Sequence, residues 1–249
     1  MTDVLAPAKL TWYLEITGVR ANGMHEIRSE MTTIDFADQL SIDPSDDYVH
    51  LTGHTDGVPD DERNLVVRAL QLVGQRAGVR IDKRIPTGGG LGGGSADAAA
   101  VLRYFGGVTE ERALLLGGDV PFCQLGGRAL VEGVGERLTP LGYQRRDVTL
   151  VMPDFSIDTR SCYEAYDVLA TSGGNRGGPN HLESAAVLVE PRLGVILTWL
   201  RATYGDEVQL AGSGSTMFIA GHVSDERAEW VELGPTGQLR FRKCSTTPS

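Results

Sequence analysis

Six of the fifteen residues in Pro86-Thr87-Gly88-Gly89-Gly90-Leu91-Gly92-Gly93-Gly94-Ser95-Ala96-Asp97-Ala98-Ala99-Ala100 are glycine. Glycine gives up more backbone freedom on folding than any other residue, and a plain turn needs only one or two. Six imply a backbone that something must approach closely. The residues that follow, Ser95 to Phe105, are rich in alanine and read as a helix with Ser95 as its cap. A glycine loop that feeds a helix N-terminus offers free N–H groups and the positive end of the helix dipole. That suits an anion, and a polyphosphate best. A flexible surface linker is the plain alternative, but such linkers rarely run into a capped helix.

Three familiar phosphate loops fit poorly. A Walker A loop ends in Gly-Lys-Ser/Thr, and Ser95 follows Gly94 with no lysine between them. A dinucleotide fingerprint is formally present as Gly88-x-Gly90-x-x-Gly93. It needs a second strand ending in an acid some twenty residues on. Glu110 and Glu111 lie at about that distance, but Phe105-Gly106-Gly107-Val108-Thr109 before them is too short and glycine-rich for a buried strand. A protein-kinase loop is followed by a strand carrying Val-Ala-x-Lys, and here a helix follows.

The loop instead resembles that of the GHMP kinase superfamily of small-molecule kinases. The resemblance runs from about Ala6 to about Ala220. It includes Pro7-Ala8-Lys9-Leu10, Gly18-x-x-x-x-Gly23-x-His25-Glu26, Asn64-Leu65-Val66-Val67-Arg68-Ala69, Gly118-Asp119-Val120-Pro121-Phe122, Glu132-Gly133-x-Gly135-Glu136 and Gly212-Ser213-Gly214-Ser215. Each motif is weak alone; their order and spacing are specific. Together they are most similar to the members acting on a cytidine diphosphate-linked polyol in isoprenoid precursor synthesis. The resemblance implies an α+β, two-domain fold, with an N-terminal half like domain 2 of ribosomal protein S5 and a ferredoxin-like C-terminal α/β sandwich. It implies ATP- and magnesium-dependent phosphorylation of an alcohol in the cleft between them. A monomer or a homodimer is compatible with it.

Composition narrows the partners. A formal net charge of −10 argues against a nucleic-acid binder. It leaves a nucleotide substrate open, because a local N–H cradle and a metal ion outweigh distant surface charge. Cys123, Cys162 and Cys244 are few, odd in number and far apart, so neither a disulfide framework nor a zinc cluster is expected. No run of 18 apolar residues occurs, and Met1-Thr2-Asp3-Val4 lacks the basic start of a signal peptide. The expectation is a cytoplasmic protein with no membrane contact.

Along the chain, strands are expected at Lys9 to Ile16, His25 to Ile34, Gln39 to Asp43, Tyr48 to Leu51 and Val79 to Ile85. Helices are expected after an Asn64 cap, with Gly78 beyond the end, and at Glu110 to Leu116, Ser161 to Leu169 and Pro191 to Tyr204. Strands near Ala129, Arg137, Val148 to Met152, Val208 and Met217 complete a mixed or antiparallel pattern. The polar patch at Gly142 suggests a boundary between domains 1–142 and 143–249. Ser172 to Pro179 reads as a flexible loop and Cys244 to Ser249 as a disordered tail.

The resemblance also assigns roles. Pro86, Thr87, Gly88, Gly89, Gly90, Leu91, Gly92, Gly93, Gly94, Ser95 and Ala96 would cradle ATP, with the Ser95 hydroxyl near magnesium or simply capping the helix. Asp119, at a break between Gly118 and Val120-Pro121, would take the proton of the attacking hydroxyl; otherwise it caps the next turn. Lys9 would pair with it, unless it is an ordinary edge-strand lysine. His25 would read the cytosine edge and Tyr163 would stack on the ring; the alternatives are a surface histidine and a core aromatic. Thr11 would touch substrate near the reacting end, and Gly212, Ser213 and Gly214 would close over the transferred phosphate. The superfamily members in question usually carry asparagine where this chain has Thr11 and tyrosine where it has Met24. Those two changes leave open a related kinase acting on a different alcohol. A nucleotide-binding module without catalysis and a dinucleotide-dependent oxidoreductase are the rivals from other classes.

Overall fold

The computed structural model describes residues 1–172, 178–223, 230–232 and 236–249. Its frame is a long hairpin. β1 (Thr2–Val19) runs antiparallel to β2 (His25–Asp43), from Thr2 opposite Ile42 to Val19 opposite His25. The turn is closed by Asn22, whose side chain accepts from the Met24 N–H, and by Gly23 at φ 83. The register slips between Pro7 and Lys9. Such a bulge re-aims the side chains beside it. Here it frees the Lys9 N–H to donate to the Leu91 carbonyl at 3.0 Å.

β2 is one strand where the sequence suggests two. Asp35 and Asp38 disfavour a strand by propensity. Asp38 is nevertheless fully buried in the middle of β2, because Lys83 and the N–H groups of Arg84 and Ile85 satisfy its carboxylate. The two ends of β2 then take different partners. Residues Gln39 to Asp43 pair with β4 (Gly78–Lys83), and Ile27 to Thr32 pair with β5 (Arg128–Gly133). β3 (Tyr48–Gly53) lies parallel to β4, and β6 (Arg137–Pro140) antiparallel to β5, giving the order β3-β4-β2-β5-β6 with β1 beside β2.

Four helices go with this sheet. α1 (Leu65–Val73) is capped by Asn64, whose side chain accepts from the Val66 N–H; it ends at Gly74 (φ 66), ahead of the expected Gly78. α2 (Gly93–Tyr104) follows the glycine loop, then α3 (Glu110–Leu114) and α4 (Val120–Leu125). α2 starts two residues before the expected Ser95. Its N-cap is Gly92, in the left-handed region, so Ser95 lies inside the first turn and is not the cap. Residues Ala96 to Leu102 are all buried, which the small alanines allow.

The second sheet has the order β10-β11-β7-β9-β8. Its strands are β7 (Asp147–Pro153), β8 (Gln209–Leu210), β9 (Met217–Ala220), β10 (Trp230–Glu232) and β11 (Gln238–Ser245). α5 (Thr159–Thr171), α6 (Glu183–Val189) and α7 (Pro191–Tyr204) go with it. α6, β10 and β11 have no counterpart in the sequence reading. The expected disordered tail is ordered instead: Cys244 and Ser245 belong to β11, and the Thr247 N–H donates to the Thr33 carbonyl at 2.9 Å. The expected flexible loop at Ser172 to Pro179 falls largely outside the described residues.

One core cluster packs the first sheet against α1, α2 and α4, and a second packs β7 and β9 against α5, α6 and α7. A third joins the halves. It combines Leu10, Ile34, Phe36 and Leu91 with Leu150, Met152, Ala211 and Phe218. No helix of the described residues is long and apolar enough to cross a membrane.

Candidate active site

The glycine loop bridges the two sheets. Gly88, Gly90 and Gly92 have φ of 65°, 72° and 69°, so every second residue turns through the left-handed region. A Cβ on Gly90 would sit 2.0 Å from the Ala211 carbonyl oxygen and 3.0 Å from that of Gly214, so only glycine fits there. The two glycine motifs are therefore packed backbone to backbone. The Gly88 carbonyl accepts from the N–H groups of Ile157 and Ser215, and the Gly89 carbonyl accepts from that of Thr216. With these carbonyls engaged, the loop delivers α2 uncapped. No side chain bonds its first turn and no acid lies in it. The first N–H groups of a helix have no partner within it, so this end is suited to an anion.

Lys9 and Asp119 meet at the mouth of that helix. The Lys9 ammonium is 3.4 Å from Asp119 Oδ2 and donates to Thr11 Oγ1 at 3.1 Å. Lys9 is 5% exposed, which excludes an ordinary edge-strand lysine. Gly92 lies against both partners: its Cβ would be 2.9 Å from Lys9 Cγ and 3.6 Å from the Asp119 carboxylate. Gly212 closes the other side, with a Cβ position 3.3 Å from Lys9 Nζ. Asp119 stands at the N-cap position of α4 but makes no capping bond, and a third of its side chain is exposed. The carboxylate thus faces Lys9 and the open space beside it.

The Glu132-Gly133-x-Gly135-Glu136 motif props this aspartate. A Cβ on Gly135 (φ 115) would sit 2.0 Å from the Gly118 carbonyl oxygen. Glu136 fastens the turn by accepting from the Val134 N–H at 2.7 Å and from Arg20 at 2.5 Å. Burial works against the charge on Glu136, but Arg20 and two backbone N–H groups hold it below the usual carboxylate range.

A cavity of about 790 Å³ opens here. Its lining includes Asn64, Leu65, Lys83, Asp97 and the loop from Pro86 to Gly90. It also includes Met24, His25, Thr159, Tyr163 and Ser213. The cavity brings together Lys9, His25, Asp119, Tyr163, Gly212, Ser213, Ser95 and most of the glycine loop. Thr11, Leu91, Ala96 and Gly214 are buried behind its wall, and the Thr11 hydroxyl is turned to Lys9. The His25 and Tyr163 rings are 4.9 Å apart. Burial, and secondarily the charge of Asp119, push the Tyr163 hydroxyl well above its usual range, so it stays protonated.

Some residues at the cavity give little sign of themselves in the sequence. Lys83 is buried between Asp38 and Asp97, with Asp97 Oδ2 at 2.6 Å and Asp38 closer still. Burial lowers the lysine's affinity for its proton, but the two carboxylates overcome this and hold it charged. Asp97 Oδ1 has no hydrogen-bond partner. Burial, together with the neighbouring Asp38 charge and against the pull of Lys83, pushes the Asp97 carboxyl up to about 7. Asn180 is also buried. Its amide donates to the carbonyls of Leu210 and Gly212 at 2.9 and 2.7 Å, which sets the second glycine turn.

Among the described residues no three acidic, histidine or cysteine side chains gather as a metal cluster. Magnesium in phosphoryl-transfer sites is held mainly by substrate phosphates and water, with one or two protein oxygens. The Ser95 hydroxyl is placed to be such an oxygen: it lies 4.0 Å from the Cβ position of Gly117, beside the segment that carries Asp119.

Residues 64–127, from the cap of α1 through the glycine loop to the end of α4, match the family model described as the GHMP kinases N terminal domain. Fold and site together are those of a GHMP kinase. The 4-diphosphocytidyl-2-C-methyl-D-erythritol kinase of Thiobacillus denitrificans is 35% identical, over 95% of this chain and 92% of its own. The enzyme of the same name from Bacillus pumilus is 34% identical, over 86% of each chain. A crystal structure of 4-(cytidine 5'-diphospho)-2C-methyl-D-erythritol kinase superposes over the full length of both chains with a TM-score of 0.72 at 30% identity. The chain belongs to the 4-diphosphocytidyl-2-C-methyl-D-erythritol kinase family.

Proposed function

We propose that this chain transfers a phosphoryl group from ATP to the 2-hydroxyl of 4-diphosphocytidyl-2-C-methyl-D-erythritol, a step of the non-mevalonate route to isoprenoids. The observation that carries the reading is the Lys9–Asp119 pair at the uncapped start of α2. Phosphoryl transfer asks the protein for positioning, for charge stabilisation and for a place to put the acceptor's proton. The N–H groups of Gly92 to Ser95 bind phosphate oxygens, and Ser95 offers a hydroxyl to magnesium, which when bound offsets the charge of the phosphates. Asp119 Oδ2 takes the proton of the attacking hydroxyl. Lys9 aims that carboxylate, and Thr11 aims Lys9. His25 and Tyr163 receive the cytosine, while Gly212 and Ser213 cover the reacting end.

The division of the chain into domains 1–142 and 143–249 is supported by the two sheets, β1 to β6 before it and β7 to β11 after. A cytoplasmic location is supported by three free cysteines, all buried. The test is ADP release, coupled to a spectroscopic readout, with the diphosphocytidyl substrate. Asp119→Asn should lower kcat about 10²–10⁴-fold, the usual loss of a general base. A variant within threefold of the parent would remove Asp119 from the mechanism.

A further inference from the structure

The geometry points to Asp167 as the positioning residue that fixes the His25 ring and thereby sets the choice of base. This rests on the reading that His25 faces a cytosine. His25 begins β2 beside the turn of the long hairpin, and among the described residues no side chain of its own sheet bonds the ring. The ring is held from the other half. Its Nε2 is 2.7 Å from Asp167 Oδ1, on α5. The ring also lies tilted over Tyr163 and edge-on to Tyr166 at 6.0 Å. The His25 side chain is 9% exposed, and that of Asp167 is 55%. The charged neighbours on α5 are engaged elsewhere: Arg160 pairs with Glu164 at 2.9 Å. Among the described residues, His25 is the one partner of the Asp167 carboxylate.

An ionised carboxylate can only accept, so the contact requires a proton on Nε2. In the neutral ring the other nitrogen, Nδ1, is then bare and accepts. An acceptor there suits the exocyclic amine of cytosine and opposes the carbonyl that uracil carries at the same position. Asp167 thus selects the ring form that distinguishes the two pyrimidines, without touching either. Met24, which precedes His25 and is exposed, offers only a thioether, a weak acceptor, in its place.

The discriminating measurement is steady-state turnover of the cytidine-linked substrate and its uridine-linked analogue by the wild type, Asp167→Asn and Asp167→Glu. Asparagine can present either its oxygen or its amide to Nε2, so the ring form is no longer dictated. In Asp167→Asn the KM for the cytidine compound should rise about tenfold, the worth of a charge-assisted hydrogen bond. Its preference over the uridine compound should narrow by a similar factor. The kcat and the KM for ATP should stay within about twofold, and Asp167→Glu should regain part of the preference. A variant that keeps the wild-type preference would overturn the role of Asp167. Equal losses in kcat and in the KM for ATP would also overturn it, because they report a disturbed fold. A wild type that turns over both compounds equally, or neither, would instead bring down the cytidine reading and this proposal with it.

Discussion

Replacing Asp97 with asparagine should remove a pH dependence from the protein's stability. Asp38 and Asp97 share the Lys83 ammonium, but unequally. Asp38 also accepts from the N–H groups of Arg84 and Ile85, at 2.5 and 2.8 Å, whereas one oxygen of Asp97 accepts from nothing. Asp97 carries the raised value, about 7 against 3.8 in the free residue. A raised carboxyl stabilises the folded state at low pH. Below the unfolded value both states hold the proton. As pH rises through the interval, the unfolded chain loses its proton first, and folding becomes less favourable until the folded value is passed. Each unit of pH is worth up to about 1.4 kcal/mol, so the span amounts to about 4 kcal/mol. Asparagine keeps a carbonyl for Lys83 and has no proton to lose. Urea unfolding of both proteins at intervals from about pH 4 to about pH 8 measures the difference directly. The variant should gain on the wild type progressively up to about pH 7 and then hold constant. Carboxylates held low, such as Glu30 beneath Arg128 and Arg146, act in the opposite sense as pH falls below about 4.5, and they cancel in the comparison. A stability difference that stays flat with pH would refute the unequal sharing of Lys83.

Two further substitutions probe the backbone around the cavity. Gly90→Ala should lower the unfolding midpoint and raise the KM for both substrates, because its Cβ collides with the Ala211 carbonyl as well as adopting a left-handed φ. The φ alone costs about 1–2 kcal/mol. Gly74→Ala, at φ 66 with open space around its Cβ position, is the control: calorimetry should show only that conformational cost, with kinetics unchanged. Asn180→Ala frees the carbonyls of Leu210 and Gly212, and it should cost about 2 kcal/mol in thermal unfolding together with a fall in kcat. An unaltered kcat would mean that the Gly212 turn holds its place without Asn180.

What could be read from the residues depended on how locally each signal is written. The glycine loop, the turn at Asn22-Gly23 and the Asn64 cap are short-range chemistry, and all three stand where the sequence puts them. Lys9 and Asp119 were legible only through resemblance, since no spacing rule joins two residues so far apart. Ser95 reads as a cap because a serine before alanines is the common signal, but Gly92 holds the N-cap position and no side chain caps the helix. Asp38 hid the continuity of β2, since an aspartate reads as a strand breaker until the Lys83 that neutralises it is known. Asp167 reads as a solvated residue of an amphipathic helix, and its partner lies in another sheet. α6 is too short to show a period, and β11 earns its place by pairing with β7 rather than by any pattern of its own.

The bonds from Gly88 and Gly89 to Ser215 and Thr216 have a consequence for traffic. The floor of the pocket is stitched across from one half of the molecule to the other. Opening it like a clam shell would tear main-chain links of the glycine loop itself.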